Sequence, residues 1–301
     1  MYLRIFRSFF FGNYFYGCCV LSLSLESSYQ QVIPLNSILY YLSLFCGTVI
    51  YYTYAYQGQA APNIINERIL WYKKHNRLIS ISQLLLLFGF IISFLLFIKK
   101  HINNFQSLSI YTLVLLLLFP LVAVLYYGGM STSGKHYNLR RQGWLKPFVI
   151  GFVWSGIVTV YPCIVSSFEH NLNYYLTILN GLLFIKNFLF ISVLCIMFDI
   201  KDYADDSNKQ LKTFVVRVGL RKTIFFILLP LSIIGFGLFL SYAMLLNFCT
   251  TRILFNTVPF VLLISVAYSM YKRKSIFYYL SVIDGLMIIK AVCGILGMMI
   301  I

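Results

Sequence analysis

Four of the chain's eight carboxylates fall within eight residues, at Asp199, Asp202, Asp205 and Asp206. Crowding like charges costs energy unless something cationic balances them. At about 100° per helical residue, Asp199, Asp202 and Asp206 share an arc of roughly 60°, and Asp205 lies about 60° outside it. Three carboxylates on one face suit a hard cation such as Mg²⁺, which usually takes one or two of them, keeps waters and shares phosphate oxygens. Lys212, Thr213 and Arg217 follow just downstream, and such side chains suit phosphate oxygens. Carboxylates, a divalent ion and basic groups together describe a diphosphate site. The plainer reading is a solvated helix end whose aspartates pair with Lys201 and Lys209. Other reactive types offer less. The seven cysteines contain no Cys-x-x-Cys pair, and the four histidines contain no pair at ligand spacing, so a zinc or redox motif is not expected.

The elements that must position these residues are membrane helices. Of 301 residues, 60% are hydrophobic and only 11% charged, too little polar surface for a soluble domain. Apolar blocks run approximately over 9–25, 35–56, 78–98, 109–127, 147–166, 176–198, 223–245, 252–270 and 277–300. Blocks of about twenty residues span a hydrocarbon core, and there the backbone must be helical. The expected fold is an all-α integral membrane bundle of about nine transmembrane helices, one domain over 1–301. The first block lacks a small-residue cleavage site and reads as a membrane helix rather than a signal peptide. Nineteen of the 24 Lys and Arg residues lie at the N-terminus and in alternate loops, and three lie in the others. That bias places the N-terminus and the loops after helices two, four, six and eight in the cytoplasm, with the C-terminus outside. It also accounts for the net charge of +16 without nucleic acid as a partner.

The run Asp199-Ile-Lys-Asp202-Tyr-Ala-Asp-Asp206, followed by Lys212-Thr213-Phe-Val-Val-Arg217-Val-Gly219, resembles the second aspartate-rich motif of the UbiA superfamily of intramembrane prenyltransferases. Asn13, the Arg140…Trp144-Leu-Lys146 stretch and Asp284-Gly285 are also similar to that family. The resemblance implies nine helices, with diphosphate chemistry in the cytoplasmic loops after helices two and six. It implies two Mg²⁺ ions bridging a prenyl diphosphate, which ionises and is attacked by a lipophilic, often aromatic, acceptor in the membrane lipid. Asp199, Asp202 and Asp206 would hold metal. Lys212, Arg217, Arg68, Lys73, Arg140, Lys146 and Asn13 would meet the diphosphate. One departure is plain. The family's first aspartate motif, at the end of helix two, is absent, and no carboxylate occurs between Glu26 and Glu67. Matching helices two and six as a pseudo-repeat puts Thr53 and Gln57 opposite Asp202 and Asp206, with only neutral oxygens for a second metal. Arg68 and Lys73 can substitute as cations, or Asn63, Asn66 and Glu67 can supply shifted ligands. Gln210 stands where the family has Gly.

Two other functions compete with a prenyltransferase. One is a catalytically impaired homologue that binds prenyl diphosphate or lipid without turnover. The other is a small membrane transporter, although transporters more often place coupling carboxylates near the midplane. Lys186, Asp284 and Lys290 lie inside apolar blocks. They are expected to hold helices together as an Asp284–Lys186 or Asp284–Lys290 pair, to snorkel as lysines do, or to line a substrate chamber. Tyr51, Tyr52, Tyr54 and Tyr56 are candidates for the wall of an isoprenoid tunnel.

Overall fold

The structure is a computed structural model, and it describes residues 2–57, 67–106, 109–127, 143–170, 177–203, 207, 211–272 and 274–300. Most of these residues are helical, and no strand occurs among them. In chain order the helices are α1 (Tyr2–Phe11), α2 (Tyr14–Gln30), α3 (Ile38–Gln57), α4 (Glu67–Lys74), α5 (Asn76–Lys100) and α6 (Ile110–Tyr127). Then come α7 (Lys146–His170), α8 (Ile178–Lys201), α9 (Leu220–Leu245), α10 (Thr250–Ser269) and α11 (Ile276–Met299). Five-residue helices at Ile102–Gln106 and Phe214–Val218 sit in the connections.

Each expected apolar block falls on a helix. Among the described residues, six (α5 and α7–α11) are long and apolar enough to cross a membrane. Ile38–Tyr54 and Ile110–Tyr126 are apolar but shorter. The first block differs most. It forms two helices, because Asn13 adopts a left-handed conformation with φ of 64°, which Asn tolerates better than most residues. The second of these helices, α2, runs on to Gln30 and carries Glu26.

The bundle is apolar outside and polar inside, which identifies its solvent as lipid. Leu84, Leu85, Phe88, Ile110 and Ile178 are exposed, whereas Asn13, Ser27, Glu26, Gln30, Lys186, Asn187, Asp199 and Lys290 are buried. A soluble fold would pay heavily for both choices. Helix α5 packs on α3 and turns most of its leucines and phenylalanines outward. Helices α2 and α8 stand at the centre: α2 packs on α3, α7 and α11, and α8 on α7 and α9. Their buried residues Cys19, Leu23, Phe190, Leu194 and Met197 join Leu228, Leu263 and Leu286 in one core. The α2–α11 contact needs a glycine. A Cβ on Gly294 would come within 2.8 Å of Glu26 Oε1. Three helices each contain one π turn, at Gly156–Val160 in α7, Ile224–Leu228 in α9 and Tyr279–Ile283 in α11.

Candidate functional site

The α1–α2 break gathers the first group of polar residues. Ending α1 leaves carbonyls without intrahelical partners. The guanidinium of Arg68, from α4, donates to the carbonyls of Phe10 at 3.4 Å and Phe11 at 3.1 Å, and also to Asn13 Oδ1. Tyr72, one turn further along α4, donates its hydroxyl to the Phe11 carbonyl at 3.0 Å. Asn13 Nδ2 donates to Tyr72 at 2.9 Å and to Thr53 Oγ1, on α3, at 3.1 Å. Asn13, Thr53 and Arg68 are therefore joined at the end of α1. Among the described residues, Arg68 donates to the α1 carbonyls and to Asn13. It is 3% exposed and closes the end of α1. Glu67 is not turned inward as a metal ligand, since it pairs with Arg7 at 2.9 Å on the surface. Lys73 is exposed on α4.

The acidic cluster begins in the last turn of α8. Asp199 is fully buried, and Lys146, the first residue of α7, donates to its Oδ1 at 2.7 Å. Asp202 caps the helix end and pairs with neighbouring Lys201 at 3.2 Å. Helix α8 thus stops at Lys201, so a shared helical face is described only for Asp199 and Asp202. Asp205 and Asp206 lie outside the described residues, as do Arg140, Lys209, Gln210, Asn63, Asn66 and the side chain of Gln57. Lys212 and Arg217 are exposed and Thr213 is buried. The segment before α7 packs directly on theirs. A Cβ on Gly143 would lie 2.6 Å from the Thr213 nitrogen, so only Gly fits there. Lys146, Asp199 and the Lys212–Thr213 backbone consequently meet at one end of the bundle.

Asp284, at the start of the last α-helical segment of α11, joins the two groups. The charges of Arg68 and Lys201 both act on it. Cys195, one turn inward from Asp199, is within electrostatic reach of Asp199, Lys146 and Asp284. Asp284 pairs with neither lysine, contrary to the sequence expectation. Both lysines instead go to Glu26: Lys290 Nζ at 2.5 Å and Lys186 Nζ at 3.7 Å. Gln30 completes that group, accepting from Lys186 at 2.7 Å and donating to Glu26 at 3.0 Å and to Asn256 at 2.9 Å. Glu26 lies thirteen residues beyond Asn13, and Lys186 thirteen residues before Asp199. At about 1.5 Å per residue, this layer is roughly 20 Å from the ionic end along both central helices. Sequence reasoning had given Glu26 no partner. Its only local signal was Gln30 one turn on.

Between the layers stand aromatic side chains. Tyr16 stacks on Tyr52 with ring centroids 4.5 Å apart, and Trp154 Nε1 donates to the Tyr52 hydroxyl at 2.6 Å. Of the four tyrosines singled out in the sequence, Tyr52 is in this group. Tyr51 donates to the Ala123 carbonyl at 2.9 Å, Tyr54 is 69% exposed, and the side chain of Tyr56 is outside the described residues.

The donor chemistry can be compared with a magnesium site. Among the described residues no three metal-binding side chains converge. Asp199 and Asp202, one turn apart, supply the one or two carboxylates that Mg²⁺ usually takes, so they fit a single ion. On the α3 side, Thr53 is committed to Asn13, and no carboxylate stands beside it in the sequence.

No family model matches the sequence, and no curated protein sequence matches it. The fold does match a solved structure of a digeranylgeranylglyceryl phosphate synthase in membranes. The TM-score is 0.54 over 94% of this chain and 94% of that chain, at 15% identity. The chain therefore shares the fold of that synthase structure and is a multi-pass membrane protein.

Proposed function

We propose that this chain is a UbiA-like prenyltransferase that binds a prenyl diphosphate at the end of α8 and passes the prenyl group to a lipophilic acceptor in the membrane. The observation that carries this reading is the Asp199–Lys146 pair, a fully buried carboxylate met by a lysine from another helix. It sits at the α8 end, where the Lys212–Thr213 backbone closes in. Lys146 meets the acidic cluster directly, and Arg68 is a further candidate for the diphosphate. Lys212 and Arg217, exposed beside it, receive the remaining phosphate oxygens, and Lys73 and Arg140 are further candidates from their loops. Asp199 and Asp202, with Asp206, would hold one Mg²⁺, which neutralises charge on the diphosphate as it leaves. Charge bias in the loops puts this end in the cytoplasm and the C-terminus outside.

A second reading is favoured by Thr53. Its hydroxyl is engaged with Asn13 where the family resemblance implies a carboxylate, so only one metal is supported. A homologue that binds prenyl diphosphate and turns it over slowly or not at all is consistent with that. Equilibrium binding of farnesyl diphosphate to protein in nanodiscs tests the proposal. Binding is expected with Mg²⁺, weakened but persistent with chelator, and its Mg²⁺-dependent part is lost in Asp202→Asn. Absence of binding under both conditions rules the proposal out. Product formation with lipophilic alcohols and phenols separates the two readings.

A further inference from the structure

Every other buried side-chain charge described inside the bundle has a partner. Lys186 and Lys290 share Glu26, Asp199 has Lys146, and Arg68 has the carbonyls that end α1. Asp284 is the exception. It is 3% exposed, forms no ion pair among the described residues, and its Oδ2 has no hydrogen-bond partner among them. Leaving a buried carboxylate oxygen unsatisfied is costly, and a site that keeps one often has a ligand for it. The backbone around it is also irregular. The π turn Tyr279–Ile283 directly precedes Asp284, and such turns occur often at functional sites.

We infer that Asp284 receives the hydroxyl of a lipophilic alcohol or phenol acceptor and takes its proton during transfer. This rests on the prenyltransferase reading, which leaves the acceptor side unassigned. Asp284 lies one layer beneath the diphosphate end: Cys195 is within electrostatic reach of both Asp199 and Asp284, and Arg68 and Lys201 act on Asp284 from the ionic layer. The hydroxyl of Tyr16 is within reach of the same carboxylate. Behind it, the Tyr16–Tyr52 stack and Trp154 form an aromatic wall suited to an apolar acceptor body. In the step, the acceptor oxygen attacks C1 of the prenyl chain. The C1–O bond to the diphosphate breaks, and its electron pair leaves on the diphosphate. The hydroxyl proton passes to Asp284 Oδ2. Tyr16 is a positioning residue that orients the carboxylate.

Infrared difference spectroscopy with farnesol tests this on the full chain in nanodiscs. Farnesol is expected to perturb a carboxyl band, and farnesyl methyl ether, which has no hydroxyl, is not. The change disappears in Asp284→Asn, returns in Asp284→Glu and is altered in Tyr16→Phe. Asp284→Asn still binds farnesyl diphosphate normally, which shows that it folds, while transfer to alcohols falls by about 10²-fold or more. A carboxyl change that survives in Asp284→Asn overturns the inference. So does an absent change in the unsubstituted protein, or an equal change with the ether. If farnesol signals through Asp284 but farnesyl diphosphate does not bind, the prenyltransferase reading falls and the hydroxyl site stands.

Discussion

At the residue scale, Lys146 and Asp199 pair across two helices, with the carboxylate fully buried and the lysine partly exposed. Removing only the cation leaves an uncompensated buried charge, which costs more than the pair contributes net. Lys146→Ala should lower stability by about 1–3 kcal/mol, the cost of orphaning a charged hydrogen-bond partner. Adding Asp199→Asn should recover much of that loss, and a double-mutant cycle of unfolding in detergent measures the coupling. Additive losses would mean that the pair contributes no interaction energy. Arg68 shows a different economy. Its donors satisfy the carbonyls of Phe10 and Phe11 and hold Asn13 in its left-handed turn. Arg68→Lys keeps the charge but loses the planar fork. It should therefore destabilise the α1–α2 break, and faster hydrogen exchange at Gly12–Tyr16 would report that.

At the element scale, α2 is an apolar helix with a polar stripe that only its neighbours make affordable. Glu26 meets lysines from α8 and α11, and Gln30 reaches Asn256 on α10. Three helices are therefore registered by one carboxylate, and Gln30 ties in a fourth, in a solvent that offers no alternative partner. Glu26→Gln leaves two buried lysines with no counter-charge, and a loss of about 3–5 kcal/mol is expected. Lys290→Met in that background should restore part of the loss, and thermal unfolding in detergent checks both. If Glu26→Gln unfolds like the unsubstituted protein, the layer does not hold the helices together. Gly294 belongs to the same element contact. Its missing Cβ makes room for Glu26, so Gly294→Val should disturb the layer although it adds only apolar atoms.

At the scale of the whole molecule, the lysine and arginine bias supports the proposed orientation, with the ionic end in the cytoplasm. A reporter fused after Ile301 should be active only outside, and a cytoplasmic signal would invert or renumber the spans. The sequence by itself determined the membrane setting and the apolar blocks, because hydrocarbon permits only helices and the run lengths show directly in composition. It also located the acidic end of α8 and the stretch before α7, because charged side chains that cluster stand out in so apolar a sequence. Partners were another matter. Asp284 and the two lysines were the obvious charges to match, yet Glu26, more than 150 residues from either lysine, holds both. That Arg68 also meets the carbonyls of Phe10 and Phe11 could not be read from its charge, because the break at Asn13 exposes them on the side that α4 covers. Sequence patterning fixes which face of a helix is apolar. Which polar group on one helix meets which on another depends on crossing, rotation and depth, and those come from packing all the helices at once. Only the tertiary structure decided that Lys146 meets Asp199 and that Asp284 retains an open oxygen beneath them.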